Sequence, residues 1–257
     1  MKSKNSKGFT GIFRRIFAIS LLCMTIPALI NTVTLSRLTK KYFQDEAGHS
    51  LQNVATEKKN QMELALSSIA TQAQSIANQT FLIESLNNAL INSKDPDQAT
   101  LRKISENLEY NFELGEGLFE NIFLMYKNRD IADGIGGKSV GWEDETVGSA
   151  DSLLVREVRA SPTTGRPVMT IVAPIKKSNR HLGTIAMAIE LNSVSEKIID
   201  NVSSDEDYKT LILNSSGLVI SSDNPDHVLS LNFQEEAGLQ DFFETMGSEK
   251  TGVGFLT

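Results

Sequence analysis

The sequence predicts an α+β chain with one membrane-spanning helix, a long helix after it, and two α+β modules in tandem, the second incomplete. Three observations predict this. An uncharged apolar run, residues 16–33, follows a basic start. A stretch almost without helix breakers then carries an apolar stripe at helical spacing. Beyond Gly115 the period changes, and strand-like runs alternate with polar turns and short helical segments.

The length of 257 residues allows one large domain or two small ones. Apolar residues make up 40%, enough for a folded core. Charge is unevenly spread. No Asp or Glu precedes Asp45, whereas Lys2, Lys4, Lys7, Arg14 and Arg15 crowd the start. Setting those five aside leaves 20 basic residues against 32 acidic ones, about −12 for the body against −7 for the whole chain. An acidic body argues against nucleic-acid binding, which needs a basic surface to displace counterions. The single cysteine, Cys23, lies inside the apolar run. That excludes an intrachain disulfide and a cysteine-built metal site.

A helix needs about 20 apolar residues to cross the hydrocarbon core, so the span is placed at 16–35. Pro27 is tolerable there. The run is apolar on every face, unlike a soluble amphipathic helix. A cleaved signal peptide shares the basic start, but this run is long and no small-x-small cleavage site follows it. A retained anchor is the better reading. The five upstream basic residues outnumber Arg37, Lys40 and Lys41 downstream. Residues 1–15 are therefore cytoplasmic and everything after the span lies outside.

Residues 36–92 read as a long stalk helix. Between Pro27 and Gly115 the only Gly is Gly48, and the next Pro is Pro96. Met62, Leu66, Ile69, Ala73 and Ile76 share one helical face, widened by Ala65, opposite Glu57, Asn60, Gln74 and Asn78. A helix over 35–90 would be roughly 80 Å long. Such a rod must pack along a domain or against a second copy. Lys58 and Gln72 interrupt a coiled-coil seam.

Residues 93–202 form the first module. Asp95 caps a new helix with Pro96 at its first position. Leu101, Ile104, Leu108 and Phe112 mark its apolar face, and Gly115 and Gly117 end it. Strands are expected over 121–126, 168–175 and 182–191, the last two joined by a polar hairpin at 176–181. Asn192 or Ser193 caps a short helix reaching 202. The second module, 203–257, opens with strand 208–213, the turn Asn214-Ser215-Ser216-Gly217, and strand 218–221.

The chemical motifs are weak. Residues 132–139, Ala-Asp-Gly-Ile-Gly-Gly-Lys-Ser, nearly match a phosphate-binding loop, but Ala132 stands where that loop needs Gly and no helix follows. They read as a glycine-rich turn. His49, His181 and His227 have no second ligand at zinc spacing. No Ser sits in a nucleophile elbow. Glu143, Asp144 and Glu145 lack the pattern of a calcium loop and read as a solvated loop. No catalytic residue, metal or cofactor is expected. Trp142, the only Trp, has Tyr126 and Arg129 upstream and Arg156, Arg159 and Arg166 downstream. Aromatic rings with guanidinium groups suit a small anionic or zwitterionic ligand. Tyr126, Arg129, Trp142 and Arg156 are the candidate ligand contacts, against core packing and surface solvation as the plainer reading.

Three stretches carry a family resemblance: Ser161-Pro162-Thr163-Thr164-Gly165-Arg166-Pro167-Val168 running on to Ala173-Pro174-Ile175, Gly183 through Leu191, and Ile212 through Ile220. With the anchor and the long helix, they resemble the double Cache sensor of bacterial methyl-accepting chemotaxis proteins. The resemblance covers the chain from the anchor to Thr257. It implies two PAS-like (Cache) modules on the long helix, with ligand recognition in the membrane-distal module. It implies a homodimer in the bacterial inner membrane, with the bulk of the chain periplasmic or extracellular. It also implies a second membrane helix leading to a cytoplasmic output domain, so the sequence reads as a fragment. The function expected is ligand sensing for chemotaxis. A histidine kinase or a diguanylate cyclase with the same input domain is the alternative, and a membrane-tethered adhesive protein a more distant one. Amino-acid sensors of this family carry an Arg, an aromatic pair and a later Asp for the ligand's ammonium. Ala188 occupies that Asp position here, and no Arg-x-Trp-Tyr occurs. The resemblance therefore implies a small-molecule ligand other than a free amino acid (a carboxylate or a neutral metabolite), or else recognition through a partner protein.

Overall fold

The computed structural model describes residues 6–194, 196, 211–222, 224–236, 238–240 and 243, with side chains from Phe17 onward. The chain divides into two compact units, Met1–Val54 and Ala55–Thr257. The first is helix throughout its described length. Helix α1, Ser6–Ala77, passes through Pro27 without a break. Its apolar window has a mean hydropathy of 1.8 and is 0% buried. A core helix of a soluble domain would bury such a window, so its composition suits hydrocarbon instead.

In the second unit the expected stripe turns inward: Ile69, Ala73 and Ile76 are buried, and Met62 and Leu66 pack partly against the same core. The helix does not continue to residue 90. It stops at Ala77, and α2, Thr80–Ile91, starts afresh after Gln79 in an extended conformation. Neither Pro nor Gly marks the break. Its cause is rotational phase. At about 100° per residue, Leu82 would point about 240° away from Ile76 on an unbroken helix. The break lets Leu82, Leu86 and Ala89 bury instead.

Helix α3, Gln98–Leu114, also departs from expectation at its start. Its cap is Asp97, whose carboxylate accepts the Thr100 N–H at 2.7 Å. A cap must reach the N–H three residues on, and Asp95 lies too far upstream. Asp95 instead pairs with Lys127 at 3.1 Å and Arg129 at 3.4 Å. Ile104 and Leu108 are buried on α3, and Gly115 caps its end.

Seven of the strands are β1, Phe119–Tyr126; β2, Arg129–Asp133; β3, Leu154–Val155; β4, Arg159–Ala160; β5, Pro167–Lys177; β6, Arg180–Glu190; and β7, Leu211–Leu213. The first six make one antiparallel sheet in the order β2-β1-β6-β5-β3, with β4 also on β5. Both tight hairpins turn on two residues with positive φ, Lys127-Asn128 and Ser178-Asn179, which matches the twist of the flanking strands. One sheet face packs Ile122, Leu124, Ile171, Ala173, Ile175, Ile185, Met187 and Ile189 with α1, α2 and α3. The other face holds Phe123, Met125, Val172, Ala186 and Ala188 beneath Val147 of the short helix α4, Glu145–Gly148. Being covered on both faces, β5 and β6 read as unbroken apolar runs rather than alternating ones. A Cβ on Gly183 would lie 2.5 Å from the Met125 carbonyl oxygen. That small residue is what lets β6 lie against β1.

After β6 comes α5, Leu191–Val194. The expected continuation to 202, and the start of the next strand at 208–210, lie outside the described residues. Further along the chain β7 pairs with β8, Val219–Ser222. Asn214 accepts the Ser216 and Leu218 N–H groups, and Gly217 takes φ +79°. The Asn-Ser-Ser-Gly turn thus forms where the sequence places it.

Candidate ligand-binding site

Strand alternation decides which side chains meet. On β1, Asn121, Phe123 and Met125 point away from the helices. Cross-strand pairing sets Asn121 beside Ala188 and Thr170, and Phe123 beside Ala186 and Val172. Two alanines at the centre of the sheet leave a shallow floor. Trp142 packs edge-on against Phe123, with ring centroids 5.6 Å apart at 85°, and Arg159 lies over the Trp142 ring at 5.5 Å. Trp142, Ala150 and Leu154 close over this outer face.

Asp144 is the hub of its charges. The carboxylate caps α4 by accepting the Val147 N–H at 3.0 Å. It also takes Arg156 Nη1 at 2.5 Å and Arg159 Nη1 at 3.6 Å. Burial pushes the Asp144 carboxyl up, but the Val147 N–H and the Arg156 guanidinium, joined by Arg159, outweigh it and hold the carboxyl below its ordinary value. Two guanidinium groups share this one carboxylate beside an aromatic wall. Such a site suits a carboxylate or another small anion.

Of the four expected contacts, Trp142 and Arg156 come together through Arg159 and Asp144. Tyr126 and Arg129 do not join them. Tyr126 is one residue out of phase with Phe123 and Met125, so it faces the helices in the other core, with its hydroxyl buried. Arg129 is exposed and paired with Asp95. Sequence proximity brought the four together, but strand parity separates them. Arg159 and Asp144 complete the group. The acidic run Glu143-Asp144-Glu145 hid its structural member, since only Asp144 precedes a helix at capping distance.

The glycine-rich stretch is a turn, with Gly136 and Gly137 at positive φ. It wraps the Asp133 carboxylate, which accepts the Ile135, Gly137 and Ser139 N–H groups. The resembling segment 161–166 is also a turn at the sheet's end. Ser161 and Thr164 donate to Glu120, and Arg166 pairs with Glu190 at 2.8 Å. Among the described residues, no three His, Cys, Asp or Glu side chains group as a metal site. A furrow along Asn31, Leu35 and Phe43 lies on the bare flank of α1 and is open to its surroundings, not an enclosed site.

No protein-family model and no curated protein sequence matches this chain. Solved structures do match. A domain of a sensory box/GGDEF family protein from Vibrio parahaemolyticus aligns over 82% of this chain and 87% of its own, at 12% identity and a TM-score of 0.64. The sensor domain of the V. cholerae histidine kinase DctB aligns over 70% and 68%, at 13% identity and 0.58. The ligand-binding domain of the Pseudomonas fluorescens chemoreceptor CtaA, solved with L-serine, aligns over 75% and 80%, at 16% identity and 0.52. At these identities the likeness is one of fold, and the fold of this chain is the α+β fold of ligand-binding sensor domains.

Proposed function

We propose that this chain is the extracytoplasmic ligand-sensing region of a membrane receptor, a double Cache chemoreceptor anchored in the bacterial inner membrane. The observation that carries this reading is the pairing of a sensor-domain fold with an apolar, wholly unburied stretch in the N-terminal part of α1. Sensing needs no covalent chemistry. A ligand transmits only the difference in its affinity for two conformations. Here the two states are the outer face covered by Trp142 and α4, and the same face opened around a ligand. A second reading, the input half of a histidine kinase or a GGDEF protein, draws on the higher TM-scores of 0.58 and 0.64 to those sensor domains.

The ligand we propose carries a carboxylate for the Arg156–Arg159 pair and no free ammonium. Ala188 offers no charge on the floor, and the carboxylates of this face are engaged, Asp144 by Arg156 and Arg159 and the Asp130–Asp133 pair by Ser139, so an ammonium buried there without a carboxylate partner costs several kcal/mol. That would remove most of a micromolar affinity, which is worth about 8 kcal/mol. We further propose a homodimer through parallel α1 helices, since Leu64 stays 71% exposed in the single chain.

Single cysteines test the arrangement in membranes, on a Cys23→Ser background. Cysteine at exposed Glu157 is expected to react with a membrane-impermeant thiol reagent in intact cells, and cysteine at Leu64 to form a disulfide-linked dimer. Labelling of Glu157→Cys only after lysis contradicts the topology. Failure of Leu64→Cys and its helical neighbours to cross-link contradicts the dimer.

A further inference from the structure

One hydroxyl on the loop covering β2 has more partners than hydrogens. Ser139 Oγ lies 2.6 Å from Asp130 Oδ2, 2.8 Å from Asp133 Oδ2 and 2.7 Å from Asn121 Nδ2. Asp130 is 0% exposed and Asp133 1%. The hydroxyl owns a single hydrogen. If that hydrogen goes to one carboxylate and the Asn121 amide donates to Oγ, the contact with the other carboxylate has none. Turning the amide over deepens the shortage, because Oγ–H would then serve Asn121 and both carboxylate contacts would lack a hydrogen. In either arrangement at least one carboxyl must carry a proton.

Asp133 already accepts three backbone N–H groups, whereas Asp130 accepts that of Ala132 at 3.1 Å. Asp130 is therefore the acid. Burial pushes its carboxyl up to about 7, against the Ser139 hydrogen bond and with help from the charge of Asp133. The other charged groups nearby are Arg129 next to it in sequence, and Lys138, Glu143, Asp144 and Glu145 on the covering loop and α4. On this face β1 presents Asn121, Phe123 and Met125, and α2 and α3 lie on the far side of the sheet. A metal ion fits poorly, since contacts of 2.6 and 2.8 Å are hydrogen-bond lengths and Asp133 is saturated by backbone.

Asn121 is a separate sign. It is 6% exposed, its amide is aimed at Ser139, and its Oδ1 has no donor. It stands beside Ala188 on the outer face. The same side chain thus touches the acid pair with one end and offers an unfilled acceptor to a ligand's N–H or O–H with the other.

We propose that Asp130, Ser139, Asp133 and Asn121 form a proton-binding site that gives this sensor a second input, pH. With the proton bound, the loop is fastened to β2. Asp130 N–H donates to the Trp142 carbonyl at 2.8 Å, and Gly141 N–H to the Asp130 carbonyl at 2.9 Å. Without it, two carboxylates confront one hydroxyl and the end of the loop that carries Trp142 is released. Coupling to ligand affinity rests on the reading of the outer face as the ligand site; the proton site does not.

The sole tryptophan reports on this directly. Trp142 fluorescence of the full chain in detergent micelles, titrated from about pH 5 to pH 9 with chelator present, is expected to show one transition centred near 7. Asp130→Asn places a permanent N–H where the acid O–H stands and abolishes the transition. Asp133→Asn removes the repelling charge and moves the midpoint down. A transition that persists unchanged in Asp130→Asn belongs to a histidine such as His181 and overturns the proposal. So does a pH-silent signal that saturates with added calcium, magnesium or sodium, which would make this a cation site. Should Asp130→Asn not fold, Ser139→Ala decides, and a midpoint identical to the parent's overturns the proposal. A pH transition without any response to small carboxylates leaves the proton site standing and removes only the ligand reading.

Discussion

Asp130→Asn is expected to stabilise the protein at pH 8 and to leave it unchanged or weaker at pH 4. The carboxyl is raised from 3.8 to about 7 in the fold. Below the lower value both folded and unfolded chains hold the proton, and the group contributes no difference. Between the two values the unfolded chain releases it first, so the unfolded state binds fewer protons and stability falls as pH rises. Above about pH 7 the loss is complete, on the order of 4 kcal/mol for a shift of this size. The amide cannot ionise and escapes it. Asp97 and Asp144 are held low and act in the opposite sense, but they are common to both proteins and cancel in the comparison. Urea unfolding followed by Trp142 fluorescence at pH 4 and pH 8 gives the two differences. An equal difference at both pH values would show that Asp130 does not hold its proton.

Ile185→Ala is expected to cost about 4 kcal/mol, within the range for large-to-small core changes. Ile185 is fully buried on β6, between β1 and β5, and faces the helices. Rigid neighbours on both flanks keep the cavity from collapsing. Val155→Ala on the short strand β3, 50% exposed, should change stability by less than about 0.5 kcal/mol. The same urea experiment measures both. Similar values for the two would mean that the sheet is not the core of this unit.

The elements that bury on both sides were the most legible in the sequence. The runs 122–126, 168–175 and 182–189 in β1, β5 and β6 stand out because they carry no charge and are dominated by apolar or small residues. The stripe from Met62 to Ile76 is readable from its helical spacing. The break after Ala77 was not, because no Pro or Gly announces it and its cause is the phase of Leu82 and Leu86 against a sheet that sequence alone does not place. The cap moved from Asp95 to Asp97 for a similar reason. Asp95 and Asp97 lie two residues apart, and which of them caps is decided only by where the backbone turns.

The site was half legible. Trp142 and Arg156 were readable as an aromatic near a guanidinium. Tyr126 and Arg129 shared that proximity, but a shift of one residue along β1 sends a side chain to the opposite core. Arg159 differs from Arg156 in no way visible before β4 is known to pair with β5. Nothing in their residue type marks Asp130 and Asp133 as buried, because acidic side chains are usually solvated. The readable hint was a carboxylate just ahead of Gly134, Gly136 and Gly137, where a glycine-rich turn can fold its N–H groups around an anion.

A small carboxylate is the ligand proposed for the outer face between Trp142, Arg156 and Arg159. Isothermal calorimetry of the full chain in micelles, against a panel of mono- and dicarboxylates beside the free α-amino acids including L-serine, tests it most directly. At least one carboxylate without an ammonium is expected to bind at micromolar levels, and Arg156→Ala is expected to weaken it by about a hundredfold or more, the loss of a charge-assisted pair at a part-buried site. Micromolar binding of a free α-amino acid, or carboxylate binding indifferent to Arg156→Ala, would contradict it.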